Sequence, residues 1–272
     1  MPSMRDFHPP DCDVILASGD VEPIHFHAHR FILSAASPFF KSMFSLPQKP
    51  VNETSPVVQV SETHTTLDAL LQFVYPVPDP EIASLDELVP ILAAASKYDL
   101  TAPISALRKI LVTPQFVETE PTRVYAIACR YELAAEARLA SSHTLNVNVL
   151  DCPLSEDLKH ISAYAYHQLL DLHRRRSRAA QALLQAPDGI KCMQCNGTAY
   201  SVYGQPKWWF EFETRAKEEL AIRPTSAVIF EMPFLFDVAS SAGCVRCPGS
   251  VLESHKFLAE LKQKIDALPM TI

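Results

Sequence analysis

Glycine is scarce in this chain: six residues among 272, at Gly19, Gly189, Gly197, Gly204, Gly243 and Gly249. Walker A loops, GxGxxG turns and GxSxG nucleophile elbows all need glycines at fixed short separations, so that backbone can approach phosphate or turn sharply. No pair here has those separations, and phosphate-cradling or elbow enzymes of these types are excluded. The ten histidines include no HExxH, which closes that zinc-hydrolase route. No apolar run approaches the roughly 18 residues of a spanning helix, and the first ten residues lack the apolar stretch of a secretory signal. The expectation is an intracellular protein of the cytoplasm and/or nucleus, with no membrane contact. Asn52-Glu53-Thr54 fits a glycosylation acceptor but has no consequence outside the secretory route. Positive charge is short as well, with 24 Lys and Arg against 31 Asp and Glu. Seven cysteines, an odd number, argue against a disulfide framework in a reducing compartment. Apolar residues are plentiful at 48%. That content predicts folded structure, either two small domains or one with an appendage.

Read from its start, Cys12 to Ala17 is a short β-rich run, Ser18-Gly19-Asp20 is a turn, and a second extended piece covers Pro23 to His27, making a hairpin. From His29 the period becomes helical, and Ser37-Pro38 restarts a helix carrying Phe39, Phe40, Met43 and Phe44. Serine at the cap and proline in the first turn suit that restart. A polar loop, Leu46 to Pro56, leads into strand Val57-Val58-Gln59-Val60 and a helix with Leu67, Leu70, Leu71 and Val74 on one face. The proline-rich Tyr75 to Pro80 stops it, and Ser84 with Glu87 forms a capping box for a helix running to about Tyr98.

These residues resemble the BTB/POZ domain. The likeness lies in Asp13-Val14, Phe26-His27-Ala28-His29-Arg30, Ile32 through Phe40, Met43-Phe44, Leu70 through Tyr75 and Ala94 through Tyr98, and covers residues 11–111. Phe44 through Gln48 and Tyr75-Pro76 resemble the version common in fungal BTB proteins. The resemblance implies an α+β fold, a small sheet flanked by helices, that works as an interaction module with no active site. Asp13 and His29 would be scaffold positions at the strand-to-helix junction. Family members that dimerise by exchanging an N-terminal strand carry a longer segment before the Asp-Val strand, so that mode is not expected. Members that recruit cullin scaffolds often carry an apolar-x-acidic triplet after the Met-Phe helix, to which Val51-Asn52-Glu53 is a loose match of little weight. His25, His27 and His29 alternate as strand ligands of a metal would, but the turn into a helix at His29 takes that ring off the shared face.

Residues 112–186 read as a helical extension. Ala95 through Ala102 is echoed 33 residues later by Ala128 through Ala135, each copy ending one helix and starting the next. Two copies are too few for a solenoid and predict helix pairs. From Ser155 one long helix is expected to about Gln185, crossing His173-Arg174-Arg175-Arg176-Ser177-Arg178. That cluster is either a nuclear or nucleic-acid patch or, as is commoner in an acidic protein, a solvated face. Arg176 falls on the apolar stripe and is expected to snorkel or meet a carboxylate.

Residues 187–272 form a C-terminal helical module. After the breaker Ala186 to Gly189, Cys192-Met193-Gln194-Cys195 and Cys244-Val245-Arg246-Cys247 face each other across 48 intervening residues. Two residues between sulfurs let both reach one ion, and a glycine two places after each pair relieves the turn. The candidate metal ligands are therefore Cys192, Cys195, Cys244 and Cys247, holding a structural Zn2+. Free redox-sensitive thiols, or an incomplete site completed by His255 or His173, are the alternatives. Four thiolates leave no open position for catalysis. Between the pairs, Trp208, Trp209, Phe212, Ala216 and Leu220 lie on one helical face, Val228 to Ala239 is a second apolar segment, and a last helix spans Val251 to Leu268. From Pro187 onward nine Lys and Arg meet ten Asp and Glu, which forfeits the counterion-release term that dominates nucleic-acid affinity. The sequence thus points to a non-enzymatic protein that binds other proteins, itself or a cullin among them, with zinc holding its end together. A cullin ubiquitin-ligase substrate adaptor and a nuclear regulator touching nucleic acid through residues 173–178 are the alternatives.

Overall fold

The computed structural model describes residues 11–46, 56–186, 189–197 and 204–272. The interior of the Leu46 to Pro56 loop, with Pro47-Gln48, Val51-Asn52-Glu53 and Thr54, lies outside the described residues, as do Pro187 and Asp188 of the breaker. Two compact units divide the chain at 119/120.

The first unit is built on a mixed three-stranded sheet. β1 (Val14–Ala17) pairs antiparallel with β2 (His25–Ala28) and parallel with β3 (Val57–Gln59), in the order β2-β1-β3. The hairpin is the expected one, with its second strand starting two residues later than Pro23. Gly19 sits where its N–H donates to the Glu62 carbonyl at 2.7 Å, and a Cβ there would meet the Ser61 carbonyl oxygen at 2.6 Å. Only glycine fits that approach.

Helices α1 (Arg30–Ala36) and α2 (Pro38–Ser45) meet at Ser37, whose Oγ accepts from the Phe40 N–H, with Pro38 in the first turn. Helix α3 (His64–Gln72) is capped by Thr63, and α4 (Leu85–Lys97) by Ser84. The Glu87 carboxylate reaches back one residue further than a capping box requires, to the Ala83 N–H at 2.9 Å. Helices α5 (Thr101–Leu111) and α6 (Pro114–Val117) complete the unit. Val14, Leu16, Phe26, Leu33, Leu67, Leu85, Leu88 and Leu107 form a core with almost no exposure.

The second unit is all helix among its described residues. Helices α7 (Pro121–Arg130) and α8 (Ala134–Thr144) are an antiparallel-type pair joined at Tyr131 to Leu133. The 33-residue echo turns out to be a repeated helix stop. Asp99 and Glu132 both take positive φ, 51° and 56°. At each, the N–H two places past the C-cap reaches a carbonyl five residues back, Leu100 to Ala95 and Leu133 to Ala128. These are Schellman closures with an acidic residue where glycine is usual.

The single helix expected from Ser155 is two elements. A 3-10 turn (Glu156–His160) is capped by Ser155, and α9 (Ala163–Ala182) starts afresh with Ser162 accepting from the Ala165 N–H. Two serine caps within eight residues break the run, which apolar periodicity alone bridges. Then follow α10 (Lys207–Ile222), α11 (Met232–Ser241), α12 (Cys247–Glu253) and α13 (His255–Asp266). The final expected helix is likewise split, at Ser254, whose Oγ turns back to the Ser250 carbonyl. The buried face of α10 is the expected set, Trp208, Trp209, Phe212, Ala216 and Leu220, and it shares one core with Ala180, Leu184, Val238, Leu261 and Ile265.

Arg176 corrects its own expectation. It does not snorkel: it is 3% exposed, its guanidinium donates to the carbonyls of Pro224, Ile265, Leu268 and Pro269, and the Asp266 carboxylate attracts it through space. Arg174 and Arg175 lie near Asp171, at 4.0 and 2.7 Å, so the basic cluster is divided between the interior and a local ion pair.

Candidate metal centre

The two CxxC segments lie 52 residues apart at matching cysteines, yet the sulfurs of Cys192, Cys195, Cys244 and Cys247 all fall within 4.8 Å of one another. Cys192 Sγ is 3.6 Å from Cys244 Sγ, and Cys195 Sγ is 3.9 Å from Cys247 Sγ. A disulfide needs about 2.05 Å, so these are separate sulfurs. Four thiolates about 2.3 Å from one tetrahedral ion stand about 3.8 Å apart, close to the two separations just given.

Local structure explains each position. In the first knuckle the Asn196 side chain accepts from the Cys192 N–H and donates to the Ile190 carbonyl, closing the loop on itself. Gly197 is required there: a Cβ would lie 2.9 Å from the Cys192 carbonyl oxygen and from Met193 Cα. The second pair is not a copy of the first. Its Cys247 opens α12, and a Cβ on Gly249 would meet nothing, so the expected glycine role holds for Gly197 alone. Ser250, one turn along α12, donates to the Lys191 carbonyl and accepts from the Trp208 indole N–H, both at 2.9 Å, tying the knuckle to the tryptophan helix.

Backbone N–H groups and burial pull the sulfurs in opposite directions. Helix α10 has no side-chain cap at Pro206. Its first N–H groups instead point at sulfur: Lys207 N–H to Cys195 Sγ at 3.4 Å, and Trp208 N–H to Cys247. Unsatisfied N–H groups and the positive end of the helix dipole are thereby aimed at the site. Burial would raise the Cys192 thiol, but the N–H groups of Gln194 and Cys195 outweigh it and hold the thiol below its ordinary value. Burial, with the neighbouring sulfurs, pushes Cys195 and Cys247 above theirs. Four sulfurs in one pocket therefore do not all ionise by themselves, whereas a dication would compensate their charge and release the protons. The residues fit a structural metal, and all four donors are protein thiols. Lys207 and Ser250, and the part Trp208 plays beside the sulfurs, went unrecognised in the sequence; the proline before Lys207, which cannot cap with a side chain, was the available signal.

The other candidates are scattered. His255 bonds the Leu252 carbonyl, and His173 bonds Thr144 at 3.0 Å. His25, His27 and His29 do not gather: His27 contacts Cys12 Sγ, and His29 contacts the Tyr75 hydroxyl. The junction roles expected of Asp13 and His29 are visible in full. Asp13 Oδ1 accepts from the Arg30 N–H at 2.7 Å, capping α1 from across the sheet, while the His29 N–H donates to Tyr75. Nearby, the buried Ser37 hydroxyl holds the Tyr98 carbonyl, and the Tyr98 hydroxyl donates to Glu62, which also pairs with Lys97. These polar groups are occupied in positioning strand against helix.

Comparison with known proteins identifies the first unit. The BTB/POZ domain family model matches residues 5–115. A 66-residue stretch is 39% identical to Kelch-like protein 28 of Homo sapiens, covering 24% of this chain and 10% of that protein. The aligned part therefore spans about a tenth of that relative's length.

Proposed function

We propose that the protein, whose residues 5–115 form a BTB/POZ domain, acts through protein–protein contacts rather than catalysis, with a zinc ion on Cys192, Cys195, Cys244 and Cys247 stapling its C-terminal helices. The observation that carries the zinc reading is the convergence of four sulfurs from two distant segments onto the start of α10. A four-thiolate site is coordinatively closed, and its service is folding energy rather than a reaction. The interaction reading is supported by the domain match and by the commitment of Asp13, His29, Glu62 and Tyr98 to internal bonds. Metal analysis of purified protein tests the staple: near one zinc per chain is expected, and Cys195→Ser should lose it. Sedimentation at several concentrations tests self-association.

The same domain supports a second reading, an adaptor that brings proteins to a cullin ubiquitin ligase in the cytoplasm or nucleus. Titration against a purified cullin N-terminal domain decides it; absence of binding at tens of micromolar removes it. A nucleic-acid contact has less behind it, since Arg176 is turned inward and Arg175 is paired with Asp171. Undetectable DNA binding at low salt is the expected outcome.

A further inference from the structure

We propose that the pocket between α9, the end of α10 and residues 148–150 binds an acidic, leucine-bearing peptide segment of a protein partner. The inference rests on the interaction reading above and adds a site and a partner chemistry to it. The pocket encloses about 310 Å³. Along it α9 presents Leu170, Arg174 and Arg178, a stripe at i, i+4 and i+8 on one helix face. Leu150 and Ile222 line it from the other two segments.

Charge selects the occupant. Both arginines carry fixed positive charge, and no acidic residue shares the lining. The Arg178 guanidinium has no hydrogen-bond or ion-pair partner among the described residues. Arg174 Nη1 stands 4.0 Å from Asp171, beyond hydrogen-bond reach, and that carboxylate is already taken by Arg175 Nε at 2.7 Å. The neighbouring polar groups are occupied: His173 bonds Thr144 and Ser177 Oγ accepts from Gln181, each at 3.0 Å. Residues four apart on a helix are about 6 Å apart along its axis, and residues two apart on an extended peptide about 6.6 Å. Carboxylates at alternate positions of an extended segment therefore reach both guanidiniums, each in a charge-assisted hydrogen bond.

Apolar surface decides against a bare anion. Leu150 is 80% exposed and Ile222 46%, both on this pocket. A leucine beside the carboxylates removes that surface from water, a gain that a nucleic-acid backbone, with its charge but no aliphatic side chain, does not bring.

The test uses the full-length protein and three short labelled peptides, read by fluorescence anisotropy. The first carries two glutamates at alternate positions beside a leucine; the second has lysines at the glutamate places, and the third has serine at the leucine. The first should bind at least about tenfold tighter than either of the others. Arg178→Glu should weaken the first at least about tenfold and favour the lysine peptide instead. Ile222→Ser should erase the difference between the leucine and serine peptides. Lys256→Gln, at an exposed cation on α13 outside the lining, should change nothing. Circular dichroism checks that each variant folds; should Arg178→Glu fail, Arg178→Gln serves instead and should also weaken the first peptide. Equal affinity for the three peptides, no binding at about 100 μM, undiminished binding by the arginine variant, or a single-stranded oligonucleotide binding as tightly as the first peptide overturns the proposal. Sedimentation and cullin titration of the unmodified protein separate the two readings. Association present without peptide binding defeats the pocket alone, whereas absence of all association defeats the interaction reading.

Discussion

Glu132 occupies the left-handed region at φ 56°, exposed, at the stop between α7 and α8. An L side chain there costs roughly 1–2 kcal/mol, part of which glycine returns as extra freedom in the unfolded chain. Glu132→Gly should raise stability by about 1 kcal/mol, visible as a higher urea midpoint; an unchanged or lower midpoint would mean the side chain has work at that stop. His173 makes the opposite kind of contribution. Burial holds its imidazole down to about 4, against an ordinary 6.5. Above pH 6.5 both folded and unfolded chains carry it neutral, and its contribution is complete. As pH falls from 6.5 toward 4 the unfolded chain takes a proton that the folded chain refuses, and stability drains away. His173→Gln keeps a donor for Thr144 without titrating, and should flatten the loss between pH 7 and pH 5 in thermal melts. Asp13, by contrast, was expected at the strand-to-helix junction from the family resemblance, and its Oδ1 accepts from the Arg30 N–H there.

Helix boundaries show where periodicity misleads and caps inform. Ser37, Ser84 and the tryptophan helix stand where the pattern places them, while two expected long helices are each broken at a serine. Apolar spacing measures burial, and burial continues across a break. Arg176 lies in the second half of α9 and binds two other segments, at 224 and 265–269, through four carbonyls. Arg176→Met would take the donor from the buried Pro224 carbonyl and remove three further hydrogen bonds, and should cost about 3 kcal/mol; equilibrium unfolding in urea measures it, and Arg176→Lys should recover little because one ammonium cannot span them. At the first knuckle, Gly197→Ala places a methyl against backbone that cannot yield. If the four thiols hold zinc as proposed, competition with a chromogenic chelator should show it bound at least about tenfold more weakly in this variant.

Two compact units with separate cores predict two melting events. Trp208 and Trp209 lie in the second core, fully buried and in the helix whose N–H groups face the sulfurs. Chelation should therefore shift the calorimetric transition that carries the tryptophan signal, with a red shift of emission, and leave the other in place. Movement of both transitions together would mean the metal stabilises more than its own unit. Among the described residues no helix is long and apolar enough to cross a membrane. The acid excess of the whole chain, 31 against 24, agrees with the weak case for polyanion binding.

Composition and pattern were enough to establish the mixed strand-helix order of the first unit, its caps, the buried face of α10 and two cysteine pairs able to hold one ion. All of these are decided by neighbours a few residues away, and such information is written along the chain. Three things came only with the folded chain: the approach of residues 192–195 to residues 244–247, the N–H groups of α10 aimed at them, and the pocket that sets Arg174 and Arg178 beside Leu150 and Ile222. Each depends on how segments tens of residues apart pack, and packing is settled by shape and burial throughout a core rather than by any local run.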